Sequence, residues 1–190
     1  RDPVFPNYAA VRCDRPGGGG GGLITLVHHD VEFSPVDASA LTSADPHLEV
    51  VAIRLHLRHA SIVILNVYLP PSSSCQRGHS PDFASLLDFP DEDAIILGDF
   101  NAHSDAWSTL SDPRGDALVD AVDSSDFIVL NSDSPTRLPT AASGSPSSPD
   151  ISLISSHLSQ SVSWSVPQLV DNSFTSTPLN SDHLPILLSF

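Results

Sequence analysis

Two apolar segments of nearly equal length, joined by only three residues, limit the possible folds of this chain more than any other feature. Residues 49–57 and 61–69 are both rich in valine, isoleucine and leucine, and residues 58–60 connect them. Such a pair with so short a connection predicts a β-hairpin. Pro70 and Pro71 follow at once, and because proline cannot donate to a strand ladder, the second strand is expected to end there.

The rest of the chain alternates short apolar runs with polar turns. The glycine run at 17–22 lacks the lysine and the helix of a phosphate-binding loop, so it predicts a flexible turn into a strand. Many short strands with few helices predict two packed β-sheets with flanking helices. We predict strands at 23–27, 94–97, 127–130, 151–154, 161–166 and 184–190, helices within 81–89 and at 116–122, and a loop at 132–149.

Charge restricts the classes of function. The formal net charge is −15 and all eight basic residues are arginines, whereas duplex-binding proteins usually carry basic patches. Enzymes that bring a metal ion to a phosphate nevertheless need carboxylates. Arg54, Arg58, Arg114 and Arg137 could still converge on one face. We therefore expect any DNA affinity to be weak and strongly sensitive to salt.

Composition also bears on location. The sequence has no run of eighteen apolar residues and no visible signal peptide, so we expect no membrane partner. Cys13 and Cys75 are too far apart in sequence for a disulfide framework and are interpreted as reduced thiols of an intracellular protein.

One candidate catalytic segment directly follows the apolar strand at 94–97. Asp99 can hold a metal ion or take a proton from water, and Asn101 points to the same side if the strand continues. The Asn101 amide can donate to a phosphate oxygen without adding negative charge. An Asx turn that merely closes the strand is an equally valid interpretation of this segment.

Three further candidates also lie at strand ends. Asp182 and His183 precede the last apolar run, where the imidazole could stabilise negative charge or transfer a proton. Asp150 opens another strand and could orient an imidazole. Tyr68 ends the hairpin and its hydroxyl could reach a phosphate. A surface loop explains each of the acidic sites alone, and core packing explains Tyr68, but convergence on one rim predicts an active site.

These motifs together resemble the endonuclease/exonuclease/phosphatase superfamily, and most of all the apurinic-endonuclease-like domain of non-LTR retrotransposons. The resemblance spans residues 11–190 and includes Trp107, which follows the Asp99 segment. The motifs that carry it are Arg12-Cys13-Asp14-Arg15-Pro16, Asn66-Val67-Tyr68-Leu69-Pro70-Pro71, Gly98-Asp99-Phe100-Asn101-Ala102-His103, Asp150-Ile151-Ser152-Leu153 and Ser181-Asp182-His183-Leu184-Pro185.

The resemblance implies a four-layered α/β sandwich, in which two mixed β-sheets pack face to face between helices. It also implies hydrolysis of a DNA phosphodiester with Mg²⁺ or Mn²⁺ that leaves a 3′-hydroxyl. A reverse transcriptase domain in the full-length polyprotein and a nuclear location would follow from such a function.

The resemblance assigns roles to individual residues. Asp99 would activate water, Asn101 would hold the phosphate, and His183, oriented by Asp150, would stabilise the developing charge. Tyr68 would contact the phosphate, and Asp99 and Asp182 would bind the metal. The residues expected to bind substrate are His103, Thr136, Arg137 and Ser181.

One departure from the family pattern concerns the metal. The family's early asparagine strand and its metal-binding Gln-Glu pair are missing, and Glu32, Glu49 and Glu92 stand in other contexts. The chain begins at Arg1 without any methionine, so we expect residues 1–190 to be a single domain truncated at its N-terminus. A site without its principal Glu ligand should bind the cation weakly.

This departure leaves three functions open. The chain alone is expected to nick DNA poorly or not at all, and a longer form with the missing motifs is expected to nick it well. A phosphatase or phospholipase of the same superfamily is one alternative, and a degenerate non-catalytic fragment is the other.

Overall fold

A computed structural model describes residues 4–15, 21–89, 92–139, 144–167 and 181–190, so most of the glycine run lies outside the described residues. Short 3₁₀ helices cover Ser72–Ser74 and Ser156–Ser161. The remaining elements are β1 (Tyr8–Cys13), β2 (Leu23–His28), β3 (Glu32–Val36), α1 (Ser39–Ala44), β4 (Glu49–His56), β5 (Ser61–Tyr68), α2 (Phe83–Leu87), β6 (Ala94–Asp99), α3 (Pro113–Asp123), β7 (Phe127–Val129), β8 (Asp150–Ser155), β9 (Ser163–Ser165) and β10 (Leu187–Ser189).

The predicted hairpin forms the centre of a six-stranded mixed sheet with the order β3-β4-β5-β6-β8-β7. Strands β4 and β5 pair antiparallel over their whole length, from His56 opposite Ser61 to Glu49 opposite Tyr68. Strand β6 pairs parallel to β5 and antiparallel to β8. One end of the central strands therefore brings together the last residues of β5 and β6 and the first residue of β8.

One face of this sheet carries the main apolar core. Alternate residues of the central strands, among them Val63, Leu65 and Ile96, are buried against side chains of α2 and α3. Helix α3 begins where Asp112 accepts a hydrogen bond from the Gly115 amide at 2.8 Å, and Pro113 occupies its first turn. An aspartate cap followed by proline is a strong helix start signal, so the helix begins earlier than the predicted residue 116.

The opposite face is covered by two separate antiparallel pairs, β1 with β2 and β9 with β10. The Asn66 side chain donates to the carbonyl of Ile24 at 3.1 Å, and Trp164 Nε1 donates to Ser152 Oγ at 3.0 Å. The mixed α/β class is confirmed. Among the described residues, however, the predicted second sheet consists of these two pairs.

The C-terminal strands are shorter than the sequence predicts. Residues 156–161 form a 3₁₀ helix, and β9 and β10 comprise three residues each. The predicted strand at 184–190 overlooked Pro185, which cannot donate to a strand ladder, and β10 begins two residues later. Among the described residues, no helix is long and apolar enough to cross a membrane.

Negative charge is concentrated in a cleft between α2 and α3, near the start of β6. The cleft is far from Asp99, which ends that strand. Its carboxylate lining includes Asp82, Asp88, Glu92, Asp93, Asp120, Asp123 and Asp126.

Gly98 allows the close approach of β5 and β6 immediately before Asp99. A Cβ atom at this position would lie 1.8 Å from the carbonyl oxygen of Val67, so no other residue fits without moving a central strand. At Gly78, where φ is 82°, a Cβ atom would meet no atom within 4 Å.

We expect Gly98→Ala to lower the free energy of unfolding by about 3 kcal/mol or more, because it forces backbone apart in the core. Gly78→Ala is the control and should cost only about 1 to 2 kcal/mol, from its left-handed backbone alone. Urea denaturation measures both, and equal costs for the two variants would contradict this account of Gly98.

Candidate active site

Four polar side chains form a row across the central sheet. The strand register places Glu49 opposite Tyr68, Tyr68 opposite Asp99, and Asp99 opposite Asp150. Because paired residues of neighbouring strands project from the same face, all four side chains lie on the face that β1–β2 and β9–β10 cover. The predicted convergence of Tyr68, Asp99 and Asp150 thus follows from two strand pairings, and a third adds Glu49 to the row.

Asp150 binds two other candidate residues. The Nδ1 atom of His183 lies 3.0 Å from Oδ1 and 2.9 Å from Oδ2 of Asp150. The Thr136 hydroxyl donates to Asp150 Oδ2 at 2.7 Å. The main chain reinforces the arrangement, since the Leu184 amide donates to the Thr136 carbonyl at 2.7 Å. Asp150 therefore fixes the orientation of the His183 ring and leaves Nε2 as the ring nitrogen for other partners.

The segment after β6 bends sharply instead of continuing as a strand. The Asn101 amide donates to Asp99 Oδ1 at 3.1 Å, which is an Asx turn, and Asn101 has a φ of 46°. The Asn101 side chain donates to the Leu69 carbonyl at 2.9 Å. The turn interpretation is therefore confirmed, and it holds Asn101 beside Asp99 without the strand geometry that the sequence suggested.

Asp99, Asp150 and His183 form a group that could hold a metal ion, since one potential ligand atom from each lies within 4.8 Å of the others. Carboxylate oxygens suit Mg²⁺ or Mn²⁺, whereas an imidazole is a ligand more typical of transition-metal ions than of Mg²⁺. Asp182, the predicted partner of Asp99 at the metal, is outside this group. Its carboxylate instead accepts a hydrogen bond from Arg137 Nε at 2.8 Å.

Burial and neighbouring charge change the proton affinities of the group. Burial, and secondly the charge of Asp150, raise the pKa of Asp99 to about 6. The hydrogen bond to Asp150 raises the pKa of His183, although burial opposes this effect. The hydrogen bond from Arg137 lowers the pKa of Asp182. Near neutral pH the site can therefore offer a carboxylate that accepts protons beside an imidazole that retains them.

The residues predicted to bind substrate lie in different settings. Thr136 is fully buried, which leaves no surface for the predicted DNA contact and makes it a support for Asp150. His103 Nδ1 lies 2.8 Å from the carboxylate of Asp112, the cap of α3. The Ser181 hydroxyl accepts a hydrogen bond from the His183 amide at 3.1 Å. Arg137 is partly exposed beside Asp182.

The four arginines that could have formed one basic face do not converge. Arg54 pairs with Glu92 at the end of the sheet remote from Asp99, and Arg58 lies in the turn between β4 and β5. Arg114 is buried, and Arg137 is neutralised by Asp182. A basic surface made from these four residues is therefore excluded.

Sequence reasoning gave no site role to two charged residues beside Tyr68, although Arg15 lies in one of the motifs and Glu49 was set aside as standing in another context. Arg15 pairs with Glu49, and its guanidinium carbon lies 5.0 Å from the centre of the Tyr68 ring. The Glu49 Oε2 atom is buried and has no hydrogen-bond partner among the described residues. The predicted segments 49–57 and 61–69 would place Glu49 opposite Leu69, and only the observed register of β4 against β5 brings it opposite Tyr68.

Comparison with known proteins agrees with the geometry. A family model described as endonuclease-reverse transcriptase matches residues 62–187, which is more than half of the chain. A probable RNA-directed DNA polymerase from transposon X-element of Drosophila melanogaster is 27% identical over 98% of this chain and 19% of its own length. That from transposon BS of the same organism is 26% identical over 75% of this chain and 15% of its own length.

The chain thus spans less than a fifth of the length of these curated relatives. Among solved structures, the endonuclease domain of TRAS1, a telomere-specific non-LTR retrotransposon, matches with a TM-score of 0.70 and 22% identity. The match covers 97% of this chain and 80% of that domain, and it shows a shared fold.

We expect Asp150→Asn to lower the pKa of His183 towards its ordinary value, because an amide has no charge and accepts only a weaker, neutral hydrogen bond. The stability that this pair provides is present below the ordinary histidine pKa and is lost as pH rises through the raised value. An NMR titration of the His183 ring protons measures the change. Asp93→Asn is the control, since Asp93 pairs with the exposed His157 instead. An unchanged His183 titration in Asp150→Asn would contradict the assignment.

Proposed function

Since this chain belongs to the endonuclease-reverse transcriptase family, we propose that it is a domain that nicks DNA with the help of Mg²⁺ or Mn²⁺. The nick would leave a 3′-hydroxyl from which a reverse transcriptase could prime, and so serve the insertion of a retrotransposon. The observation that carries the proposal is the cluster of Asp99, Asp150 and His183 at the end of β6.

Each member of the cluster has a chemical role that fits phosphodiester hydrolysis. With its raised pKa, Asp99 can take a proton from the attacking water. His183, held by Asp150 and biased towards its charged form, can stabilise negative charge on the phosphate. A bound divalent ion would add Lewis-acid polarisation of the phosphate. Tyr68 and Asn101 border the same rim and are proposed to contact the phosphate.

Partners and location follow from the same proposal. The curated relatives are named as RNA-directed DNA polymerases and are several times longer than this chain, which supports a reverse transcriptase domain in the whole protein. DNA as substrate would place the reaction in the nucleus. With a net charge of −15, the chain must bind the duplex by a few local contacts, so its affinity at physiological salt should be weak.

A plasmid-nicking assay with supercoiled DNA tests the function. We expect the unaltered chain to produce slow nicking with Mn²⁺ or Mg²⁺, and Asp99→Asn or His183→Ala to reduce the rate by about a hundredfold or more. His157→Ala is the matched control, because His157 pairs with Asp93 near the start of β6, remote from the cluster. Extension of the nicks by a DNA polymerase would demonstrate the 3′-hydroxyl.

Two results would overturn the proposal. The first is cleavage by the unaltered chain that does not exceed that of Asp99→Asn at any metal concentration. The second is release of inorganic phosphate from phosphomonoesters without any nicking, which would indicate the phosphatase alternative.

Metal affinity should depend on pH, because the ion competes with the proton on Asp99. Since the pKa of Asp99 is about 6, the affinity for Mn²⁺ should rise steeply between pH 5 and 6, and it should level off above pH 7 if the ion is held by carboxylates alone. If His183 also binds the ion, its raised pKa extends the rise above pH 7. Isothermal titration calorimetry measures this dependence. Asp182→Asn should show the same pH dependence of Mn²⁺ affinity, because Asp182 lies outside the metal group. Loss of Mn²⁺ binding in that variant would show that Asp182 is a ligand after all.

A further inference from the structure

Arg114 is a buried cation at the start of α3, and its guanidinium contacts carbonyl oxygens and a sulfur atom. Only 6% of the residue is exposed. Its Nη1 atom donates to the carbonyls of Pro70, Phe100 and Asn101 at 2.8, 3.2 and 3.4 Å. Its Nη2 atom lies 3.6 Å from the sulfur of Cys75. Among the described residues, no carboxylate pairs with this guanidinium.

The three carbonyls belong to the two segments that leave the sheet beside the candidate active site. Pro70 follows β5, which ends at Tyr68, and Phe100 and Asn101 follow β6, which ends at Asp99. The Leu69 amide also donates to the Asp99 carbonyl at 2.9 Å. Arg114 therefore ties together the backbones that carry Tyr68, Asp99 and Asn101, from the side opposite the site.

Asn101 needs such support more than its neighbours do. Its φ of 46° is in the left-handed region, which asparagine adopts more readily than most side-chain-bearing residues, but only with hydrogen bonds that hold it there. Two bonds to other parts of the chain hold it, one from its side chain to the Leu69 carbonyl and one from Arg114 to its own carbonyl. Loss of the second bond would release the turn that orients Asn101 beside Asp99.

We propose that Arg114 is a positioning residue that holds the Asp99–Asn101 turn in its reactive geometry through the carbonyls of Pro70, Phe100 and Asn101. This inference deepens the proposed nicking function and rests on it. The planar guanidinium reaches several acceptors in fixed directions, whereas the compact ammonium of lysine cannot reproduce that geometry. A lysine at this position should keep the charge and lose the positioning.

The test compares Arg114→Lys with Arg54→Lys, a control at an exposed ion pair with Glu92. We expect Arg114→Lys to lower kcat for nicking by about a hundredfold, as a small misplacement of reactive groups does, with KM changed less than twofold. Hydrogen exchange followed by mass spectrometry should show faster exchange at the amides of 99–101 and of Leu69, which donates to the Asp99 carbonyl, with β4 unchanged. Arg54→Lys should alter none of these.

A second variant distinguishes a loss of positioning from a general loss of folding. Arg114→Ala leaves a space that methylguanidinium can fill, and we expect millimolar methylguanidinium to restore part of kcat beyond a matched NaCl control. Unchanged kcat and unchanged local exchange in Arg114→Lys would overturn the proposal. So would faster exchange spread evenly over the sheet, together with no rescue of Arg114→Ala, because that pattern shows general destabilisation.

The exchange measurement separates this inference from the proposed function. If the unaltered chain nicks no DNA, the nuclease proposal fails, and the positioning role is then decided by exchange alone. Local acceleration at 99–101 in Arg114→Lys would support it, and protection equal to that of the unaltered chain would overturn it.

Discussion

The carboxylate of Asp150 accepts hydrogen bonds from Thr136 and His183 while it lies next to the carboxylate of Asp99. These contacts depend on one another. The negative charge that orients and charges the His183 ring also disfavours ionisation of Asp99, and so raises the pKa of that group. Asp150 therefore contributes to the raised pKa of both groups, as the main cause for His183 and as the second cause, after burial, for Asp99. Strand pairing alone brings the two carboxylates together, because Asp150 is the first residue of β8 and pairs directly with Asp99, the last residue of β6.

Much of the site could be predicted because it depends on local patterns. Apolar runs defined the central strands, and polar residues at their ends marked the rim, so Tyr68, Asp99 and Asp150 were found without knowledge of the sheet order.

The side-chain partners of these residues could not be found in this way. The pairing of Arg137 with Asp182 and the burial of Thr136 depend on a loop, 132–149, with no periodicity to interpret. The sequence also did not reveal that the row of polar side chains extends to Glu49. Two strands could be predicted there, but the position of Glu49 depends on the register of β4 against β5.

The positions that set the geometry are not those that carry the chemistry. Gly98 matters because it has no side chain, and Arg114 because its side chain points away from solvent into carbonyl groups. Neither residue was a candidate for the chemistry in the sequence, because each acts on the backbone of other residues and not on a substrate. A substitution at either position would leave every candidate catalytic side chain in place while it displaced the main chain that carries them.

The acidic cleft between α2 and α3 has a consequence beyond its own surroundings. Its carboxylates lie near the start of β6, while the partly neutralised rim with Arg15, Arg137 and His183 lies near the end of that strand. Such a separation gives the molecule a large electric dipole along the strand direction. In the field of any polyanion the molecule experiences a torque that turns the cleft outward and the rim inward. A protein with a repulsive total charge can in this way still approach a phosphate chain with the correct end first.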